Sequence, residues 1–257
     1  MADEVLSTVA DGVATVTLNR PDKRNAMNAA LLTALRDCFD ALDARVDVRV
    51  VVLRGAGPAF CAGMDLREME ARQGATTDGE AAVVTVLQRV ERSRHPTIAM
   101  VHGDALAGGM ELALHCDLRV AADGARFGMP LARIGLIVPF PLGQKIIEIV
   151  GPAHARQLLL SGRPLDARRA YAIGMVNEVV LATDLERVTG DLARTIAENA
   201  PLSLAGMKAV IRRALGPREG IVHDDLDALA RDARQSADAS EGRRAMLEKR
   251  KAVFRGE

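Results

Sequence analysis

The stretch ALAGGMELALHCD, residues 105–117, decides how the rest of the chain is read. Gly108 and Gly109 stand where a small-residue turn, His102 to Gly109, gives way to a helical pattern from Met110 to Cys116. Glycine lets a backbone come close to a ligand. The first N–H groups of a helix have no partner inside it and can face an anion. Glu111 falls in the first turn. With Gly108 as N-cap it holds the third helical position, where an acid complements the helix dipole, and composition alone favours that capping role over catalysis. Strands flank the unit: Thr97 to Val101 follows Pro96, and Asp117 to Ala121 follows the helix.

The same order occurs upstream. Val13 to Leu18 alternates like a half-buried strand, and Asn19 to Asp22 punctuates a turn. Met27, Leu31, Leu35, Phe39 and Leu42 recur at helical spacing. The β-branched run Val48 to Leu53 reads as a buried strand that stops at Gly55 and Gly57. It leads into AFCAGMDL (59–66), a second small-residue turn around Cys61, Ala62 and Gly63. Taken alone, that turn is an ordinary strand-to-helix loop. RQGATTDGE, within 71–80, is polar and reads as a mobile loop. Val83, Val86, Leu87 and Val90 form the next helical stripe. Beyond Leu142, helical patterns fall near 143–150, 153–161, 166–173, 184–198 and 203–214, and again from His223 to Phe254, with one strand at Val176 to Val180. Repeated strand–strand–helix units with a helical tail describe an α/β chain. A soft boundary near Pro201 divides it into 1–200 and 201–257.

Composition narrows the function. The 257 residues are 49% apolar, enough for a sizeable core. Thirty-four Lys and Arg balance 34 Asp and Glu, so no net field draws nucleic acid or an anionic membrane. Aromatics at 2% make base-stacking platforms a poor expectation. Cys38, Cys61 and Cys116 form no CxxC pair, so neither a disulfide framework nor a metal site is expected. The acidic start MADEVLS and the lack of a membrane-length apolar run make the cytoplasm the expected location. His95, His102 and His115 read as structural, Cys61 as a small turn residue and Tyr171 as partly core.

AFCAGMDL and ALAGGMELALHCD, in this order and separation, resemble the two signature segments of the crotonase (enoyl-CoA hydratase/isomerase) superfamily. NRPDKRNAMN (19–28) is similar to its CoA-binding turn and GARFGMP (124–130) to its next active-site loop. LLLSGRPLDARRAYAIGMVNEVV (158–180) and LEKRKAVF (247–254) resemble its later landmarks. Several segments in order are a far more specific match than one Gly-rich string. The resemblance implies a crotonase-like spiral of ββα units, with residues 201–257 as a helical region for oligomerisation and pocket cover. It implies an acyl-CoA substrate, no cofactor beyond the CoA of that substrate, and a homotrimer or dimer of trimers. It also implies an oxyanion hole built from the backbone N–H groups of Met64 and Gly108, with Glu111 as acid/base. CoA contacts are implied at Arg24, Ala26, Ala62, Arg67 and Lys249.

One departure bears on the chemistry. The hydratases of this superfamily carry a second glutamate after the proline of the FGMP segment, and here that position is Leu131. Leucine moves no proton. IGLIVPFPLGQ (134–144) replaces a Gly-rich run by a stiff, apolar one. That segment is similar to the mitochondrial-type Δ3,Δ2-enoyl-CoA isomerases, which otherwise keep the glutamate missing here and lack the one at Glu111. Three readings stay open: a one-glutamate hydratase, an isomerase or other enolate enzyme such as a decarboxylase or thioester hydrolase, and a weakly active acyl-CoA-binding protein.

Overall fold

The computed structural model describes residues 3–71, 76–215, 222 and 224–255. A hairpin opens the chain: β1 (Val5–Ala10) and β2 (Val13–Leu18) pair antiparallel through Asp11 and Gly12, both at positive φ. Helix α1 (Ala29–Asp43) follows. The Asn28 side chain accepts a hydrogen bond from the Leu31 N–H at 2.8 Å, which caps the helix, and Leu31, Leu35, Phe39 and Leu42 form its buried stripe.

Three strand–strand–helix turns come next. The first is β3 (Val50–Gly55), β4 (Ala59–Cys61), α2 (Leu66–Ala71) and α3 (Thr76–Glu91). The second is β5 (Thr97–Val101), β6 (Asp104–Leu106) and α4 (Gly108–Leu114). The third is β7 (Leu118–Ala122), β8 (Arg126–Gly128) and α5 (Phe140–Ser161). In each turn the first strand joins a six-stranded sheet of order β1-β2-β3-β5-β7-β10, and the second joins a four-stranded sheet of order β4-β6-β8-β9. The turns advance in parallel, so the chain winds as a spiral. β9 (Leu165–Asp166), α6 (Ala167–Ala172), β10 (Glu178–Val180) and α7 (Leu185–Ala197) complete it. Among the described residues, α8 (Pro201–Leu215), α9 (Asp224–Gln235) and α10 (Ala237–Leu247) follow.

The central strands are buried on both faces, as parallel strands covered on each side must be. Val51, Leu53, Ala99, Val101 and Ala121 face the main core with α1, α3, α4 and α5. Val50, Val52, Ile98, Met100 and Val120 face Leu185 and Ala193 of α7. α10 lies against the 3-10 turn Pro130–Ile134: a Cβ at Gly242 would sit 2.5 Å from Ile134 Cα, so only glycine permits that approach.

Several expectations need correction. Residues 72–75 lie outside the described residues, but the backbone is helical from Thr76 onward, so the loop expected over 71–80 ends early. The apolar period of Val83 to Val90 carries the helix upstream. α4 begins at Gly108 with Ala107 as N-cap, one residue earlier than expected, which places Glu111 fourth rather than third. The C-terminal helix stops at Leu247, with Lys249 in a left-handed conformation. Tyr171 is exposed rather than core. Among the described residues, no helix is long and apolar enough to cross a membrane.

Candidate active site

Three loops meet at the N-terminus of α4. The first runs from the 3-10 turn Pro21–Lys23 to Met27, and its residues Arg24 and Asn25 both hold left-handed φ. The fully buried Asn25 side chain fastens this loop. Its amide donates to the carbonyls of Ala56, Ala59 and Phe60, and its oxygen accepts from the Arg20 N–H. The second loop is Ala62 to Asp65, between β4 and α2. The Met27 N–H donates to the Gly63 carbonyl at 2.7 Å and the Asp65 N–H donates to the Met27 carbonyl at 3.0 Å. Because groups alternate along an extended chain, those two bonds turn the N–H of Met64 to the opposite side. The third loop enters α4 through Ala107, whose φ of 50° and ψ of −124° are strained for a residue with a Cβ. Its N–H is held by the Gly128 carbonyl at 2.8 Å.

These loops bring two backbone N–H groups together. A Cβ built on Gly108 would lie 4.0 Å from the Met64 nitrogen, and one on Gly63 would lie 3.2 Å from the Gly108 nitrogen. Gly108 opens the helix, so its N–H has no partner one turn back. Both residues line a cavity of about 740 Å³.

Glu111 lines the same cavity and is fully buried. Among the described residues, neither of its carboxyl oxygens has a hydrogen-bond partner. Burial raises its pKa well above the ordinary carboxyl value, and the Lys145 ammonium opposes this only in part, so the carboxyl keeps its proton to higher pH than an exposed glutamate does. The acid does not serve the helix end: its own N–H bonds the Ala107 carbonyl while its side chain points into the cavity wall. His115 follows one turn later. Its Nδ1 bonds the Glu111 carbonyl at 2.8 Å and stays 3.8 Å from the carboxyl, too far for a hydrogen bond. Burial lowers His115 to about 4, so it is neutral near pH 7. Burial pushes the Cys61 and Cys116 thiols up to about 12, so neither offers a thiolate nucleophile.

Of the residues singled out from sequence, Glu111, Met64, Gly108, Ala26, Ala62, Arg67 and Leu131 all line the cavity. Arg24 and Lys249 are not among its lining residues. Arg24 is exposed at the end of the 3-10 turn, its carbonyl accepting the Ala62 N–H. Lys23, Arg36 and Arg234 line the cavity and were not singled out. Lys23 and Arg24 are adjacent cations in the sequence, and no local pattern says which of them lines the cavity. Leu131, Ile134, Leu136, Val138 and Leu142 form an apolar wall, with Met246 and Leu247 of α10 also in the lining.

A spiral of ββα turns with a cavity at the N-terminus of α4 is the architecture of the crotonase class. The comparisons agree. The enoyl-CoA hydratase/isomerase family model matches residues 8–257, and the chain belongs to that family. A probable enoyl-CoA hydratase of Mycobacterium leprae is 34% identical over 254 residues, covering 98% of each chain. A solved enoyl-CoA hydratase/carnitine racemase from Magnetospirillum magneticum is 35% identical, with a TM-score of 0.80 over 100% of this chain and 97% of that one. A methylmalonyl-CoA decarboxylase solved with 2S-carboxypropyl-CoA is 26% identical, with a TM-score of 0.91 and full coverage of both chains.

Proposed function

We propose that this protein is an enoyl-CoA hydratase-like enzyme that holds an acyl-CoA thioester in the cavity and works through its enolate. The observation that carries this reading is the Glu111 carboxyl, buried and unpartnered in the cavity wall beside the Met64 and Gly108 N–H groups. Those two donors hold the thioester oxygen and stabilise the charge that gathers there, a device whose single donors are worth roughly 3–4 kcal/mol elsewhere. Ionised Glu111 takes a proton from water as the water oxygen bonds to C3, and the neutral acid then returns a proton to C2. Water is added and Glu111 is restored. CoA lies along the backbone at Ala26 and Ala62, with Lys23 and Arg67 supplying positive charge for its phosphates. Arg24 and Lys249, one and two residues beyond the lining positions Lys23 and Leu247, add charge nearby. The working molecule is a homotrimer or dimer of trimers. Residues 201–257 cover the cavity and carry the association.

The test is hydration of crotonyl-CoA with Glu111→Ala as control. Turnover is expected to fall by about 10²–10⁴-fold, the contribution of a positioned acid/base, while acyl-CoA affinity stays near that of the parent. Since the base is the ionised form and its pKa is raised, kcat/KM is expected to climb as pH rises above the ordinary carboxyl range. Unchanged turnover in the variant would remove Glu111 from the mechanism.

A second reading is favoured by the wall formed by Leu131, Ile134, Leu136 and Val138. It offers no second carboxyl to hold the attacking water, whereas a single carboxyl suffices to carry a proton between C2 and C4. If crotonyl-CoA binds without being hydrated, a 3-enoyl-CoA becomes the substrate to assay.

A further inference from the structure

Arg20 lies outside the cavity lining and touches both loops that build it. Its Nη1 makes a short hydrogen bond to the Ala26 carbonyl and a second, at 3.1 Å, to Asp65 Oδ2. Ala26 and Asp65 are the neighbours of Met27 and Met64, the two residues that form the bridge between the loops. One guanidinium nitrogen therefore ties down both strands of that bridge, one residue to the side of the Met64 N–H. The fork is fixed from behind, because Arg20 Nε pairs with Glu4 at 3.1 Å and the Arg20 N–H is held by Asn25 at 2.9 Å. The Arg20 side chain is 15% exposed and that of Asp65 17% exposed, so this pairing is sheltered from water and salt far better than a surface bridge.

There is also a charge argument. Asp65 lines the cavity one residue after Met64. An uncompensated carboxylate there would oppose the growth of negative charge on an oxygen held by the Met64 N–H. Arg20 is the cation hydrogen-bonded to that carboxylate.

We propose that Arg20 is a positioning residue for the reaction: it fixes the direction of the Met64 N–H by holding Ala26 and Asp65 together, and it screens the Asp65 charge from the substrate oxygen. This rests on the reading of the cavity as an acyl-thioester site, and it is indifferent to whether hydration or isomerisation follows. Lysine is no substitute. Its shorter stem lacks the guanidinium plane that lets Nε hold Glu4 while Nη1 spans two oxygens.

The experiment is isotope-edited infrared spectroscopy of butyryl-CoA carrying ¹³C at the thioester carbonyl, bound to the parent protein, Arg20→Met and Arg20→Lys. Butyryl-CoA is saturated and undergoes no hydration. Polarisation by the two donors lowers its carbonyl frequency in the parent complex. Arg20→Met is expected to return most of that shift, to bind butyryl-CoA within about threefold of the parent, and to lose up to about 10²-fold in kcat, the scale set by an ångström of misalignment. Arg20→Lys keeps the charge and the apolar stem and serves where the methionine variant does not fold. It is expected to lose part of the shift, with KM little changed. An undiminished shift in either folded variant would overturn the proposal and leave the substrate reading standing. A parent protein that binds no butyryl-CoA, or shifts its carbonyl not at all, would overturn both.

Discussion

A carboxyl without a hydrogen-bond partner in a sealed wall is costly, and Glu111 is such a group. The unfolded chain ionises it near the ordinary value of 4.5, while the folded chain ionises it only well above that. The native state therefore holds the proton that the unfolded state gives up. Its contribution to stability is full below about pH 4.5 and is lost as pH rises toward the raised native value, at about 1.4 kcal/mol per pH unit. Glu111→Gln removes the ionisation and keeps the shape. In urea unfolding at about pH 5 and about pH 7, the variant should gain on the parent at the higher pH. Parallel pH dependence in the two proteins would show that Glu111 ionises normally. Nothing in the sequence announces this behaviour. Its position in the first turn of α4 suits a capping acid equally well, and only the resemblance to a family pointed to chemistry. The difference lies in burial, which the β4 loop and the second sheet impose from elsewhere in the chain.

At the level of elements, legibility followed the number of residues that carry a signal. β3 and β5 were readable because their β-branched and apolar runs are buried on both faces. β4, β6 and β8 have only three residues each, and they exist through pairing with one another across tens of residues, which no local pattern reports. Those short strands are what set the site, because they fix α4 against Cys61. Gly109 marks the contact: a Cβ there would stand 2.0 Å from the Cys61 carbonyl oxygen and 2.6 Å from its carbon. Backbone cannot step aside as a flexible side chain can, so Gly109→Ala should destabilise by more than about 3 kcal/mol or abolish folding. Gly190, inside α7, meets nothing closer than Arg194 Nη1 at 3.7 Å. Gly190→Ala should instead stabilise by about 0.5–1 kcal/mol through helix propensity. Thermal unfolding of the two variants side by side checks both, and equal midpoints would mean that α4 does not press on β4 as described.

At the scale of the whole molecule, one helix carries apolar side chains that the described residues leave uncovered. No residue of α8 is buried, yet Leu202, Met207, Val210 and Ile211 are among its side chains and are 62–83% exposed. Apolar side chains scattered singly on a surface need no explanation, whereas several on one helix mark an interaction surface. α8 is nonetheless anchored: Lys208 Nζ bonds Asp117 at 2.6 Å and the His95 carbonyl at 3.0 Å, which fixes the helix across the ends of β5 and β7. An anchored helix with an unsatisfied apolar face suits association with further copies of this chain, as in the trimer proposed above. Net charge bears on this as well, since 34 positive and 34 negative side chains leave no overall repulsion to keep copies apart. Ile211→Glu puts a charge on that face without touching the cavity lining. Sedimentation velocity should show the parent as a trimer or hexamer and the variant shifted toward monomer, with the variant less stable to heat because oligomerisation and folding are linked. A parent that sediments as a monomer would end the association reading, while a variant that stays fully assembled would move the contact to another face. Because Met246, Leu247 and Arg234 of the C-terminal helices line the cavity, dissociation should also raise KM for the acyl-CoA more than it lowers kcat. That pattern would separate a loosened cover from damage to Glu111 or to the backbone donors, which would fall on kcat.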